Sequence, residues 1–249
     1  MRMSIRSHSE FEKLRAVGRI VRRALDQAAA AVRPGITTGE LDQIGAGVLH
    51  RNGAESAPPK VYGFPSALCI SVNDEAIHGI PGDRVIQPGD LVKLDLVAEK
   101  DGFYADAAVT VLAGAVSDSA AALARCAQRA FYRGLQSARA GNRVHEIGRA
   151  VERETRRCGF RVMRDLCGHG VGRTIHEPPS VPNYYEPRLR DRLTAGLVIT
   201  IEPIISAGGG RGVLQPDRWT IRTADGSLSA HYEHTLVVTT GEPILLTAA

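Results

Sequence analysis

Five side chains of metal-ligating type stand in this sequence where an apolar setting makes them costly. Asp95 and Asp106 interrupt the two apolar runs of LVKLDLVAEKDGFYADAAVTVL (91–112), Glu202 closes LVITI, Glu233 lies inside YEHTLVV, and His169 is framed by glycines in GHGVG. An ionised carboxylate in an apolar strand loses its hydration with nothing in return unless it shares a proton or meets a cation. Taken singly, each acid has an ordinary alternative at a sheet edge, and the histidine could be a satisfied structural group. Together, four oxygen donors and one imidazole could hold two divalent metals, with shared carboxylates bridging them.

The element that must position the two aspartates is a hairpin. β-Branched and aromatic residues on both sides of Lys100-Asp101-Gly102 read as strands, and Asp-Gly is the strongest short hairpin signal. If Lys100 and Asp101 form the loop, Asp95 lies opposite Asp106; if Asp101 and Gly102 form it, the two are diagonal neighbours. Both registers put the carboxylates on one face, whereas a three-residue loop would send them to opposite faces.

Helices flank this centre. Ser9 with Glu12 has the pattern of a capping box, and Phe11, Leu14, Val17, Ile20, Val21 and Leu25 recur at helical spacing until Pro34-Gly35. A second helix starts at Thr37 with Glu40 and ends at Gly53; another is predicted near Ser119 to Arg139. Leu68 to Val72 reads as a strand after a loop at Gly63 and Pro65. The chain then repeats itself. GITTGELDQIGAGVLHRNG (35–53) and GNRVHEIGRAVERETRRCG (141–159) match in length, in the pairs Glu40/Glu146 and Leu41/Ile147, and in their terminal glycines. Downstream, GDLVKLD and GLVITIE each end in an acid, and His78-Gly-Ile-Pro and His176-Glu-Pro-Pro each pair a histidine with proline. Two pseudo-symmetric halves, about 35–112 and 141–240, would set Asp95 and Glu202 facing each other from equivalent strands.

Composition removes several function classes. With 249 residues, 43% of them hydrophobic, the chain can bury a sizeable core. The opening residues carry no apolar leader segment, and no run is long and apolar enough for a membrane span, so cytoplasmic residence is the default expectation. Cys69, Cys126, Cys158 and Cys167 show no C-x-x-C pairing, which argues against a zinc finger or a disulfide framework. GHGVGR has Arg173 where a dinucleotide loop needs its third glycine. The net charge of +4 and the arginine clusters at 2–23 and 156–164 fit solvated helix faces better than a nucleic-acid surface.

The motifs SVNDEAIHGIP, GDLVKLDLVAEKDGFYADAAVT, CGHGVGRTIHEPP, ITIEPII and SAHYEHTLVVT, in this order over nearly the whole chain, resemble the signature of the methionine aminopeptidases. The resemblance implies an α+β pita-bread fold, shared with proline-specific aminopeptidases and creatinase. That fold has a pseudo-two-fold axis and a central antiparallel sheet covered by helices, here as one catalytic domain over 1–249. The short span from His176 to Glu202 and the lack of an extension before the first helix resemble the type I enzymes. The resemblance further implies that Asp95 chelates one metal, Asp106 and Glu233 bridge both, and His169 and Glu202 complete the other; the ions are Mn, Fe, Co or Zn. A water activated between them would attack the first peptide carbonyl, with Glu202 shuttling the proton and His78 and His176 hydrogen-bonding the substrate. Phe64, Cys69 and Trp219 would line the methionine pocket. Val61 and Ile175, standing where relatives often carry aromatic residues, would loosen it. Asn73, Glu75 and Ser229 match a monovalent-cation site. The implied substrates are N-terminal peptides of nascent proteins with a small second residue, met by a monomer in transient contact with the ribosome, without specific nucleic acid or membrane. A peptidase cleaving before proline and a non-catalytic ribosome- or nucleic-acid-binding relative are the competing readings.

Overall fold

A computed structural model describes residues 5–248. The hairpin strands Leu91–Lys100 and Phe103–Leu112 lie at the heart of a nine-stranded sheet. Outward from Phe103–Leu112 follow Glu233–Val237, Val198–Ile201, Cys167–Gly170 and Glu177–Pro182; on the other side, Glu55–Ser56 and Cys69–Val72 both pair with Leu91–Lys100. All these pairings are antiparallel. Asp101 and Gly102 form the hairpin loop, both with positive φ, so Asp95 pairs with Ala108 and Asp106 with Val97. The aspartates are therefore diagonal neighbours on one face, the second of the two expected registers.

Helices cover the sheet in two matching sets. The first helix, His8–Ala31, buries Leu14, Val17, Ile20, Val21 and Leu25 against the hairpin, each worth about 1.5–3 kcal/mol relative to exposure. Its cap differs from the expected Ser9/Glu12 box. SHSEFE contains two overlapping S-x-x-E frames, and the earlier one is used: Ser7 accepts from the Glu10 N–H, and the Glu10 carboxylate accepts from the Arg6 N–H. The second helix, Thr38–Arg51, has the expected Thr37/Glu40 capping box. Asp118–Ser137 and Val144–Arg157 pack together over the other half of the sheet and share a second core with Ile199, Ile201 and Leu236. A short helix, Ala57–Tyr62, was not expected from its two prolines; they occupy its first turn, where no backbone donor is needed.

The two segments matched in the sequence have similar local geometry. Thr38–Arg51 and Val144–Arg157 are both 14 residues long, each carrying at its third position a glutamate whose carboxylate accepts from the backbone N–H of the preceding cap residue, Thr37 or Arg143. Gly35 and Gly141 have φ of 92° and 94°, and their N–H groups donate to Ile86 and Leu193 at 2.8 and 2.9 Å. Thr37 and Arg143 each form an isolated bridge, with Val85 and Arg192. The two segments thus enter their helices through the same local turn.

Candidate metal centre and active site

The sheet builds the site in two cross-strand rows. The first runs Cys69, Asp95, Ala108, Glu233. Because Ala108 projects only a methyl group between the two acids, space is left between their carboxylates. In the next row Val97 pairs with Asp106, whose backbone is clamped by Thr235: the Asp106 N–H donates to Thr235 Oγ1 at 2.8 Å, and that hydroxyl donates to the Asp106 carbonyl at 2.8 Å. Thr200 works similarly on the far side, donating to Glu202 Oε1 at 3.0 Å and accepting from the His169 N–H at 3.1 Å. His169 reaches the site because glycines flank it. A Cβ on Gly168 would lie 2.7 Å from the Thr200 carbonyl, and one on Gly170 would lie 2.4 Å from that of Pro178.

All four acids are buried, between 2% and 9% exposed, so their charges have no water to lean on. Burial, then the neighbouring Asp106 charge, pushes the Asp95 carboxyl well up; burial raises Asp106 to about 7. Burial, followed by the charges of the other acids, likewise raises Glu202 and Glu233. Asp106 Oδ1 and Glu233 Oε1 have no hydrogen-bond partner. His169 Nδ1 is bonded to the Gly170 carbonyl at 2.9 Å; since a carbonyl only accepts, Nδ1 carries the proton and Nε2 presents its lone pair. That Nε2 stands 3.6 Å from both Asp106 Oδ2 and Glu202 Oε1. This is too long for a hydrogen bond but close to the edge of a tetrahedron of ligands about 2.1 Å from a metal. Donor atoms of Asp106, His169 and Glu233 all lie within 4.8 Å of one another. The donor set therefore fits divalent cations, whose charge would stabilise the four carboxylates in their ionised form.

All five expected ligands line one cavity of about 170 Å³, together with His78, His176, Phe64, Cys69 and Trp219. Phe64 and Trp219 meet edge to face, with centroids 5.2 Å apart, and give the cavity an apolar wall. His78 sits in the left-handed backbone region at φ 58°, a conformation that costs a non-glycine residue about 1–3 kcal/mol. Burial lowers both His78 and His176 to about 4, so both imidazoles are neutral at physiological pH. Ile175 lines the cavity as expected. Val61 does not: it is 44% exposed, and the aromatic group lining the cavity there is the adjacent Tyr62, whose hydroxyl lies 2.6 Å from His176 Nδ1. Sequence reasoning missed Tyr62, Thr200, Thr235 and His231; of these only His231 had a visible signal, an imidazole two residues before Glu233.

The expected monovalent-cation position needs a correction. Asn73, Glu75 and Ser229 do converge, with Ser229 Oγ bonded to the Asn73 and Glu75 carbonyls at 2.9 and 3.1 Å. The cation among them is a side chain: the buried Lys93 ammonium donates to the Asn73 carbonyl at 2.7 Å and to the Ser229 carbonyl at 3.4 Å. Burial lowers this lysine to about 7. An alternating strand would ordinarily place a charge like Lys93 outward, but this strand is buried on both faces and the carbonyls supply its solvation.

Comparison with known proteins agrees with this architecture. The chain is 44% identical to methionine aminopeptidase 2 of Bacillus subtilis over 98% of its own length and 99% of the relative. It superposes on the methionine aminopeptidase of Thermotoga maritima with a TM-score of 0.96 at 33% identity, each chain fully covered. A prolidase from Pyrococcus furiosus shares the fold at 22% identity and a TM-score of 0.77, over 99% of this chain and 66% of that one. Residues 12–240 match the model of metallopeptidase family M24, and with relatives matched along nearly their entire length the chain belongs to that family.

Proposed function

We propose that this protein is a methionine aminopeptidase that holds two divalent ions and removes the N-terminal methionine of peptides whose second residue is small. The observation that carries the reading is the cage of Asp95, Asp106, His169, Glu202 and Glu233 opening into an apolar cavity flanked by two neutral histidines. Asp95 and Glu202 would each serve a different ion, Asp106 and Glu233 would bridge, and His169 would join Glu202; Mn(II), Fe(II), Co(II) and Zn(II) suit such an oxygen-rich set with one imidazole. When bound, the ions activate a water, polarise the scissile carbonyl and anchor the free amine. The protein's own groups do the rest. Glu202, held as a carboxylate by the Thr200 hydroxyl, would take the proton released by the attacking water and pass it to the leaving nitrogen. With the Tyr62 hydroxyl donating to Nδ1, His176 keeps its proton on Nε2, free to donate to the substrate. Phe64, Cys69 and Trp219 receive the methionine side chain and exclude water.

The protein would act as a monomer in the cytoplasm on emerging chains; no helix among the described residues is long and apolar enough to cross a membrane. A transient contact with the ribosome belongs to the same reading. The test is cleavage of Met-Ala-Ser against Ala-Pro-Ala in the presence of Mn(II) or Co(II). Release of methionine from the first is expected; preference for the proline peptide would replace the reading by that of an X-Pro peptidase.

A further inference from the structure

His231 ends the short strand Ser229–His231, two residues before Glu233, and is 1% exposed. Its backbone is pinned to Thr110, whose hydroxyl accepts from the His231 N–H at 2.9 Å and donates to its carbonyl at 2.8 Å. Neither ring nitrogen has a hydrogen-bond partner. Beside it, Glu233 Oε1 is also unpartnered, and His231 Nε2 lies 3.3 Å from Glu233 Oε2. A buried donor left idle costs about 1–3 kcal/mol, so an imidazole with no partner held 3.3 Å from a buried carboxylate oxygen is hard to justify unless a small ring turn completes that bond. The cavity is lined by all five metal-ligating residues, Glu233 among them, and His231 is not part of that lining.

We propose that His231 is a positioning residue for Glu233: its Nε2–H donates to Glu233 Oε2 and sets the carboxylate across the two ions. The inference rests on reading Glu233 as a bridging ligand. An imidazole suits the task because it supplies a directed donor without adding a charge, so Glu233 remains anionic for the metals. Carboxylates that bind metals are themselves held by hydrogen bonds, and loss of such a partner lowers metal affinity by about 10–100-fold. Direct ligation is the competing arrangement, since Glu202, His231 and Glu233 also present donor atoms within 4.8 Å of one another.

The experiment is Co(II) titration by calorimetry, together with proton NMR of the Co(II)-loaded protein, in which each ligating imidazole gives one strongly shifted, exchangeable N–H signal. Wild type should bind two ions and show one such signal, from His169. His231→Leu should weaken Co(II) binding by about 10–100-fold without changing the signal count, and His231→Gln, which keeps an N–H donor, should restore affinity to within about 3-fold. His231→Met serves as the apolar variant if the leucine protein does not fold by circular dichroism. Two shifted signals in wild type, one of them lost in His231→Gln, would make His231 a ligand and overturn the proposal. So would unchanged affinity in the apolar variants, or failure of His231→Gln to restore it. If wild type takes up no Co(II), the dimetal reading itself fails, a result distinct from these.

Discussion

Stripping the divalent ions should cost this protein more stability as the pH rises. Burial and mutual repulsion raise Asp95, Asp106, Glu202 and Glu233 above their ordinary values, Asp106 from 3.8 to about 7. Without ions, the folded state therefore holds more protons than the unfolded chain. Its stability is greatest below the unfolded value near 4 and is lost as the pH climbs through about 7. Bound ions need these groups deprotonated, so the loaded protein escapes that loss. The Asp106 shift alone corresponds to something on the order of 4 kcal/mol. At about 2–4 °C per kcal/mol for a chain of this size, the gap in Tm between loaded and stripped protein should widen by on the order of 10 °C from pH 5 to pH 7.5. Buried histidines outside the cage, such as His234, slope the other way, but they are common to both forms and cancel in the gap. The assay is calorimetry or circular dichroism on dialysed protein with and without Mn(II), with Asp106→Asn alongside to flatten the slope of the stripped form. A gap that stays constant or narrows with pH would refute the argument that the cage is four acids held apart from water and waiting for cations.

Other outcomes follow from the same geometry. Tyr62→Phe removes one hydrogen bond to His176, about 1 kcal/mol, and should lower kcat by roughly 5-fold with little change in KM, read from steady-state kinetics. Trp219→Ala opens the apolar wall facing Phe64 and should raise KM for methionyl peptides while narrowing their advantage over leucyl peptides. Lys93→Ala leaves the Asn73 and Ser229 carbonyls without their cation; it should lower Tm by several degrees, about 2–4 °C per kcal/mol, and make Tm respond to potassium in place of choline, to which wild type should be indifferent. The activity of wild type should fall below about pH 4 as His78 and His176 take up protons, which adds charge to the apolar cavity and removes the nitrogen that accepts from the Tyr62 hydroxyl, visible in the acid limb of kcat/KM.

The centre of the site was legible because its residues violate their surroundings. Asp95, Asp106, Glu202 and Glu233 are acids in strands whose neighbours demand a dry interface, and that conflict is visible without coordinates. The hairpin was legible because Asp101-Gly102 offers two consecutive positions tolerant of positive φ; which pair formed the loop was open, since Lys100-Asp101 fits the same pattern until the strands pair. The second helices were legible through Thr37/Glu40 and the repeat of glycines. The first cap was misread because Ser7 and Ser9 begin identical local frames and only packing chooses between them. Tyr62, Thr200, Thr235 and Lys93 escaped for a common reason: their roles are contacts with residues far away in sequence, and their types are ordinary in strands and turns. Val61 drew attention that belonged to Tyr62, because which of two adjacent residues faces the cavity is set by the short helix Ala57–Tyr62.

The most direct test of the central claim measures methionine released from Met-Ala-Ser by wild type, Asp95→Asn and Asp106→Asn, each as loaded with Mn(II) and after chelation. Release that is metal-dependent in wild type, abolished by chelator, strongly reduced in Asp95→Asn and lost in Asp106→Asn is the predicted result. Efficient turnover by chelated wild type, or by Asp106→Asn, would contradict the assignment of this cage as the catalytic metal centre.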